Sequence, residues 1–189
     1  RFLETAALMN GQVVNEARLA RDSGVARPTV QRYFDVLIDT LMIAWVRAWQ
    51  PGARVKETSH PRFYFFDCGV VRAITGRLGE VLDSAEKAPL FETMVLHELR
   101  AADSYLNKRG RISYWRTPSG SEVNFIWSQG SRNVGFEVKP ATTWRPEWSR
   151  TLNELVEAGV LGTGFGVYLG KERLRQGGVE VLPFQDFAS

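Results

Sequence analysis

The sequence predicts an α+β protein in two parts, a helix-turn-helix module over residues 1–80 and a second, α/β domain over residues 81–189. Two helical segments joined by a glycine are followed by two apolar, aromatic strand segments, which is the pattern of a winged helix. The rest of the chain has the periodicities of a helix, three strands, a helix and two strands. The polar stretch from Gly76 to Ala88 is the predicted connector between the two parts.

Local end signals predict the helix-turn-helix. Asn15 is a suitable N-cap for the first helix, and Gly24 supplies the left-handed residue that ends it. Pro28 is tolerated at the start of the second helix because its missing N–H would have no helical partner there. Four apolar residues recur at helical spacing and predict the buried stripe of the second helix: Val30, Phe34, Leu37 and Leu41. The strands of the wing are expected at residues 41–49 and 62–66.

The outward face of the second helix carries polar and basic residues that suit a nucleic-acid groove. The predicted DNA contacts are Arg27, Thr29, Gln31 and Arg32 on this helix, with Lys56 and Arg62 on the wing touching phosphate. Residues 1–80 hold 11 Lys and Arg against 8 Asp and Glu, whereas residues 81–189 hold 13 of each. The net charge of +3 therefore lies in the first part, which is compatible with a polyanion partner. The same fold can serve instead as a spacer or a protein-docking element.

The second part contains predicted elements in the order αβββαββ. They lie at residues 90–100, 112–116, 122–127, 134–139, 147–158, 164–169 and 179–182. Turn residues between the first three strands favour antiparallel hairpins. The glycine-rich stretch over residues 162–166 does not fit a nucleotide-binding fingerprint, and we interpret it as a tight turn into a strand.

Composition and cysteine content indicate a cytoplasmic globular protein. The chain is 44% hydrophobic and 24% charged, and neither a signal peptide nor a run of about 18 apolar residues that would predict a membrane span can be recognised in it. Its lone cysteine, Cys68, suits a reducing compartment. Because the chain begins without a methionine, we expect it to be part of a longer protein.

One strand of the second part carries the sharpest chemical signal. Alternation over Phe136 to Lys139 places Glu137 and Lys139 on one face and Val138 on the other. Hydrolysis of a phosphodiester uses carboxylates to hold a divalent metal and a lysine to position water or to stabilise developing charge. Charged residues that alternate on a solvated strand give the same pattern, so both interpretations stay open at this point.

Motifs in both parts resemble those of one protein family. In the second part they are Phe91-Glu92 through Leu99, Tyr114-Trp115-Arg116, Gly120 through Phe125, and Phe136-Glu137-Val138-Lys139. Upstream they are Asn15, Thr29-Val30, Tyr33 and Tyr64 through Val70. This combination resembles the C-terminal region of a family of prokaryotic AAA-type ATP-binding proteins, which ends in a restriction-endonuclease-like, or PD-(D/E)xK, domain.

The resemblance implies a mixed central sheet and a nuclease-like site. Glu137 and Lys139 would be its catalytic residues, and Mg²⁺ or Mn²⁺ would be held among Glu92, Glu98, Glu122, Asn124 and Glu137. The family's pattern has an aspartate where this chain has Asn124, and an amide oxygen brings no charge to a metal. The resemblance also implies an N-terminal ATPase domain as partner and as the only source of ATP binding, because the chain has no G-x-x-x-x-G-K-[ST] motif.

Three functional hypotheses follow from the sequence. The first is a nucleic-acid-binding or regulatory region with a degenerate nuclease-like domain. The second is an active metal-dependent DNA nuclease, and the third is an assembly platform for the ATPase or for oligomers. Aromatic residues leave a further choice open, because Tyr114-Trp115-Arg116 could stack on bases and Trp144 and Trp148 around Arg145 could face a partner, or both groups could belong to the core.

Overall fold

The computed structural model describes residues 1–50 and 60–189. Within this part of the chain it contains seven α-helices, one 3-10 helix and eight strands, so the fold is a mixture of α and β structure. The described residues divide into two compact units, one of residues 1–47 and 60–94, the other of residues 48–50 and 95–189. The long helix α5 (Ser84–Tyr105) begins in the first unit and ends in the second.

The first unit is mostly helical, with one antiparallel strand pair. Its elements are α1 (Phe2–Leu8), α2 (Glu16–Ser23), α3 (Arg27–Asp39), β1 (Ile43–Ala48), β2 (Arg62–Phe65), α4 (Cys68–Ile74) and the start of α5. The strand pair is in register from Ile43 opposite Phe65 to Val46 opposite Arg62. Its core contains Ala6, Leu19, Val30, Phe34, Ile43, Phe63 and Phe65.

The predicted end signals of α2 and α3 are confirmed. The side chain of Asn15 accepts a hydrogen bond from the main-chain N–H of Arg18 at 2.9 Å, which caps α2. Gly24 ends α2 in the left-handed conformation with φ 73°, where a side chain would be strained. Pro28 occupies the first turn of α3. These signals act over two or three residues, so the sequence alone carries them.

The buried stripe of α3 is confirmed at Val30 and Phe34, which are 0% and 3% exposed, but the prediction for Leu41 is wrong. Leu41 is 77% exposed and has φ 60°, because α3 ends at Asp39. The carbonyl of Val36 accepts both the hydroxyl of Thr40 at 2.7 Å and the main-chain N–H of Thr40 at 3.0 Å, in the last turn of the helix.

The predicted connector is helical in its last part. Helix α5 starts at Ser84, where the carboxylate of Asp83 accepts the main-chain N–H groups of Ala85 at 2.6 Å and of Glu86 at 3.1 Å. An aspartate ahead of a helical segment is a strong N-cap signal. The helix continues through Pro89, and that proline in the pattern obscured its true start.

The second unit is built around a mixed sheet. Its strands are β3 (Arg111–Arg116), β4 (Glu122–Gln129), β5 (Arg132–Lys139), β6 (Thr163–Tyr168), β7 (Leu174–Gln176) and β8 (Val179–Pro183), and they follow one another in the order β3-β4-β5-β6-β8-β7. The β3–β4 and β4–β5 pairs are antiparallel, as predicted. Parallel pairing joins β5 to β6 and β6 to β8, with the 3-10 helix (Pro146–Ser149) and α6 (Arg150–Glu157) in the β5–β6 connection.

Glycines on one face of this sheet make room for the layer above it. A Cβ on Gly135 would lie 2.6 Å from a methyl of Leu161, and one on Gly166 would lie 2.6 Å from the Trp144 ring. Gly164 and Gly166 belong to β6, in agreement with the strand predicted at residues 164–169. On the opposite face Phe136 stacks on Phe165 at 5.7 Å, under the short helix α7 (Phe184–Phe187).

Three short elements were not predicted: α1, β7 and α7. Each has seven residues or fewer, which is too short for a hydrophobic period to develop. Across the described residues, none of the helices combines the length and the apolar character that crossing a membrane requires.

Candidate functional site

The exposed face of α3 carries the polar residues that were predicted to contact DNA. Gln31 and Arg32 are exposed and Thr29 is partly exposed, whereas Val30 on the other side of the helix is fully buried. The side chains expected to enter a groove therefore do face outward. This orientation follows from the 3.6-residue period of the helix.

A carboxylate from α2 lies within this polar face. Glu16 accepts from the Nε of Arg27 at 2.8 Å and from the amide of Gln31 at 3.3 Å. The hydrogen bond from Arg27 is the main cause that lowers the pKa of Glu16. No local pattern in the sequence predicts this contact, because residues 16 and 27 meet only through the packing of α2 on α3. Exposed ion pairs contribute about 0–1 kcal/mol, so Arg27 can leave Glu16 at small cost.

The two predicted wing residues do not join this face. Arg62 is 5% exposed at the start of β2, opposite Val46 in the strand pair. As placed, it is not the exposed cation that a phosphate contact needs, and this expectation is not met because strand pairing draws Arg62 inward. Lys56 lies outside the described residues.

In the second unit, Glu137 and Lys139 share one face of β5, as alternation predicted. They pair in register with Gly166 and Tyr168 of β6, and the Lys139 Nζ lies 2.6 Å from a carboxylate oxygen of Glu137. Glu137 is only 8% exposed. A buried carboxylate requires such a partner, because desolvation of an unpaired charge is costly.

Asn124 lies where β4 bulges. Between the pairs Ser113–Ile126 and Trp115–Val123 the register shifts, because β4 has one more residue there than β3. The side-chain oxygen of Asn124 accepts a hydrogen bond from the main-chain N–H of Val138 at 2.8 Å. A bulge interrupts the ladder and changes where side chains point, so simple alternation cannot place Glu122 and Asn124 relative to one another.

The other predicted metal ligands have separate surroundings. Glu122 lies 3.8 Å from Arg116, and Glu98 is partly exposed on α5. Glu92, in the first unit, accepts from the hydroxyl of Tyr64 at 2.8 Å, and burial first and this carboxylate second raise the pKa of Tyr64 well above its usual value. Among residues 1–50 and 60–189 no three His, Cys, Asp or Glu side chains form a group that could hold a metal ion.

These surroundings do not fit the Mg²⁺ or Mn²⁺ site that the resemblance implies. Such a site needs several oxygens free to face one ion. The carboxylate of Glu137 is engaged by Lys139, and the oxygen of Asn124 is engaged by a main-chain N–H. The arrangement in the protein is an ion pair without net charge beside an amide that hydrogen-bonds to the main chain.

Two family models match the chain, one in each half. A model described as a domain of unknown function, DUF4143, matches residues 87–187. A second, also described as a domain of unknown function, DUF8612, matches residues 1–80.

Curated relatives were found in two mycobacteria, and both are described as uncharacterised proteins. One from Mycobacterium bovis and one from Mycobacterium tuberculosis are each 29% identical over 167 residues, which cover 87% of this chain and 36% of the relative. The chain thus spans about a third of the length of the relatives it matches. No solved structure matches.

Proposed function

This chain belongs to the DUF4143 family, and from that premise we propose that it is the nucleic-acid-binding, regulatory region of an ATP-binding protein. In this proposal the first unit is a winged helix that binds duplex DNA through α3. The second unit is a PD-(D/E)xK-like domain whose nuclease site is degenerate. The ATPase domain that the sequence resemblance implies would supply ATP binding and would lie elsewhere in the longer protein.

The observation that carries the proposal is the polar face of α3 behind a glycine turn. A helix-turn-helix places its second helix in the major groove, with residues near the N-terminus of that helix contacting base edges. Arg27, Gln31 and Arg32 occupy the first two turns of α3 and are exposed. Approach of a phosphate would compete with Glu16 for Arg27, and the exposed pair offers little resistance.

The degenerate state of the second unit is supported by the charges around β5. Lys139 neutralises Glu137 at 2.6 Å, and residue 124 is an amide that serves the strand ladder. Two or three carboxylates facing one ion are the usual basis of a magnesium site. One carboxylate already paired with a lysine is a weak beginning for one.

Fluorescence anisotropy with a labelled 30-base-pair duplex tests the proposal on the whole chain. We expect affinity to fall steeply from low to physiological salt, since phosphate contacts release counterions. Arg32→Ala should weaken binding severalfold and reduce the salt slope by about 1. The matched control is Arg100→Ala, an exposed arginine of α5, which should leave affinity unchanged. Absence of duplex binding, or equal behaviour of the two variants, would overturn the proposal.

An active nuclease is a second candidate, favoured by the shared face of Glu137 and Lys139 beside a bulge. Bulges are often found next to active sites. A plasmid-nicking assay in Mg²⁺ or Mn²⁺ tests it, with Lys139→Ala as the inactivating variant and Asn124→Asp as the restoring one. Nicking by the wild-type chain that Lys139→Ala abolishes would support this candidate against a degenerate site.

An assembly platform is a third candidate, favoured by apolar side chains on the surface of α3. Tyr33 is 41% exposed and Val36 is 57% exposed, and exposed apolar residues on a helix suit a protein partner. Sedimentation of the chain alone and with the separately purified ATPase part of the longer protein tests it. A stable complex that Val36→Asp disrupts, without any duplex binding, would favour this candidate.

A further inference from the structure

An indole ring with two cations over it lies beside the Glu137–Lys139 pair. Trp148 is in the 3-10 helix that follows β5. The Nζ of Lys139 lies 5.9 Å from the centroid of its ring, and the guanidinium carbon of Arg145 lies 5.4 Å from it. Both distances are within the range of cation–π attraction.

Trp148 packs against a buried tryptophan, Trp144. Its ring meets that of Trp144 at 5.4 Å and 87°. Trp144 is itself 5% exposed, donates its Nε1–H to the hydroxyl of Ser149 at 3.0 Å, and packs against Tyr168. The ring of Trp144 also packs directly against Gly166. Trp148 therefore packs against the buried core of the second unit while remaining partly exposed.

The charge around Trp148 is available to an anion. Arg145 is exposed, and within the described residues its side chain makes no ion pair at 4.0 Å or less. The carboxylate of the same turn, Glu147, is also exposed and forms no such pair there. Lys139 is shared between Glu137 and the ring, so Arg145 is the cation most free to move toward a phosphate.

We propose that Trp148, Arg145 and Lys139 bind one unpaired nucleotide of a single-stranded nucleic acid. The base would stack on the indole, and Arg145 would contact the adjoining phosphate with Lys139 beside it. A single strand is favoured over a duplex because stacking needs an exposed base face, whereas bases in a duplex cover one another. This inference rests on the proposed action on nucleic acid but assigns a second site, with a different ligand, in a different unit.

Anisotropy with a labelled 20-nucleotide dT strand tests this site on the whole chain. We expect Trp148→Ala to weaken binding about tenfold or more, Trp148→Phe to have an intermediate effect, and Arg145→Ala to weaken it severalfold. Arg150→Ala is the matched control, an exposed arginine one turn away. Far-ultraviolet circular dichroism checks that each variant is folded. If Trp148→Ala does not fold, the substitution of the exposed Arg145 still tests the site.

The duplex of the previous experiment separates the two proposals. Loss of dT binding in Trp148→Ala and Arg145→Ala with unchanged duplex affinity supports the site, whatever Arg32→Ala does to the duplex. The proposed site is overturned if the wild-type chain does not bind dT. It is also overturned if Trp148→Phe and Arg145→Ala bind dT as tightly as the control Arg150→Ala. A glutamate-rich peptide that binds through Arg145 while dT does not bind would show a protein-docking surface instead.

Discussion

The side-chain oxygen of Asn124 accepts the main-chain N–H of Val138 at 2.8 Å, from within the bulge of β4. Asn124 is 5% exposed, so water has little access to replace this bond. The residue at which the chain departs from the nuclease pattern therefore stabilises the sheet through a hydrogen bond to the main chain. An aspartate there would retain the acceptor and add a charge.

Replacement of this acceptor should destabilise the second unit. We expect Asn124→Leu to lower the free energy of unfolding by about 1–3 kcal/mol, because Val138 would keep a buried, unsatisfied donor. Asn124→Asp keeps the acceptor but adds a charge at a buried position, so it should destabilise the unit as well. Urea denaturation followed by circular dichroism measures both. Equal stability of Asn124→Leu and the wild-type chain would show that Val138 finds another acceptor.

Substitutions of the two residues of the β5 ion pair, Glu137 and Lys139, should have strongly non-additive effects on the free energy of unfolding. Lys139→Met removes the ammonium partner of the buried Glu137 carboxylate, and we expect a loss of about 1–3 kcal/mol. Adding Glu137→Gln should recover part of this loss because the uncompensated charge disappears. A double-mutant cycle in urea measures the coupling. If the two losses of stability simply add, the 2.6 Å contact does not contribute to the free energy of unfolding.

Removal of the carboxylate from the face of α3 should tighten DNA binding. Glu16→Gln frees Arg27 from its 2.8 Å partner and removes a negative charge near the phosphates, so duplex affinity should rise severalfold at low salt. Glu4→Gln is the control, because Glu4 is an exposed carboxylate of α1 in the same unit. A rise of equal size in both variants would indicate a general effect of net charge.

Alkaline pH should weaken the fold through Cys68. Burial raises the pKa of its thiol from 9.0 to about 11, so between these values the unfolded chain loses a proton that the folded chain keeps. By linkage, stability falls as pH rises through this window and is unaffected by the thiol below it. Cys68→Ala should therefore reduce the pH dependence of the urea unfolding midpoint between pH 8.5 and about 10.5. Part of the slope should remain, because the raised pKa of Tyr64 acts in the same direction.

Local signals predicted much of the fold, and tertiary contacts account for what they missed. The cap at Asn15, the turn at Gly24 and the shared face of Glu137 and Lys139 depend on neighbours within a few residues. The contact of Glu16 with Arg27 and the bulge at Asn124 depend on the packing of separate elements. No periodicity in one sequence reports such contacts.

Arg62 shows the same limit for binding sites. A basic residue after a polar loop predicts a phosphate contact, but its strand draws it inward to 5% exposure. Side-chain chemistry was therefore a better guide on the helix, where the period fixes exposure, than at the strand edge. The winged-helix and nuclease-like assignments, and the action on nucleic acid, stay predictions.

The fit of Trp144 over Gly166 restricts how this family member can change over time. A methyl group at residue 166 would come within 2.6 Å of the indole, so a larger residue there is tolerated only with a smaller ring at residue 144. Neither step is favourable alone, since one overfills the layer and the other leaves a cavity. A genetic screen that starts from a damaging Gly166→Ala change should therefore recover suppressors at residue 144.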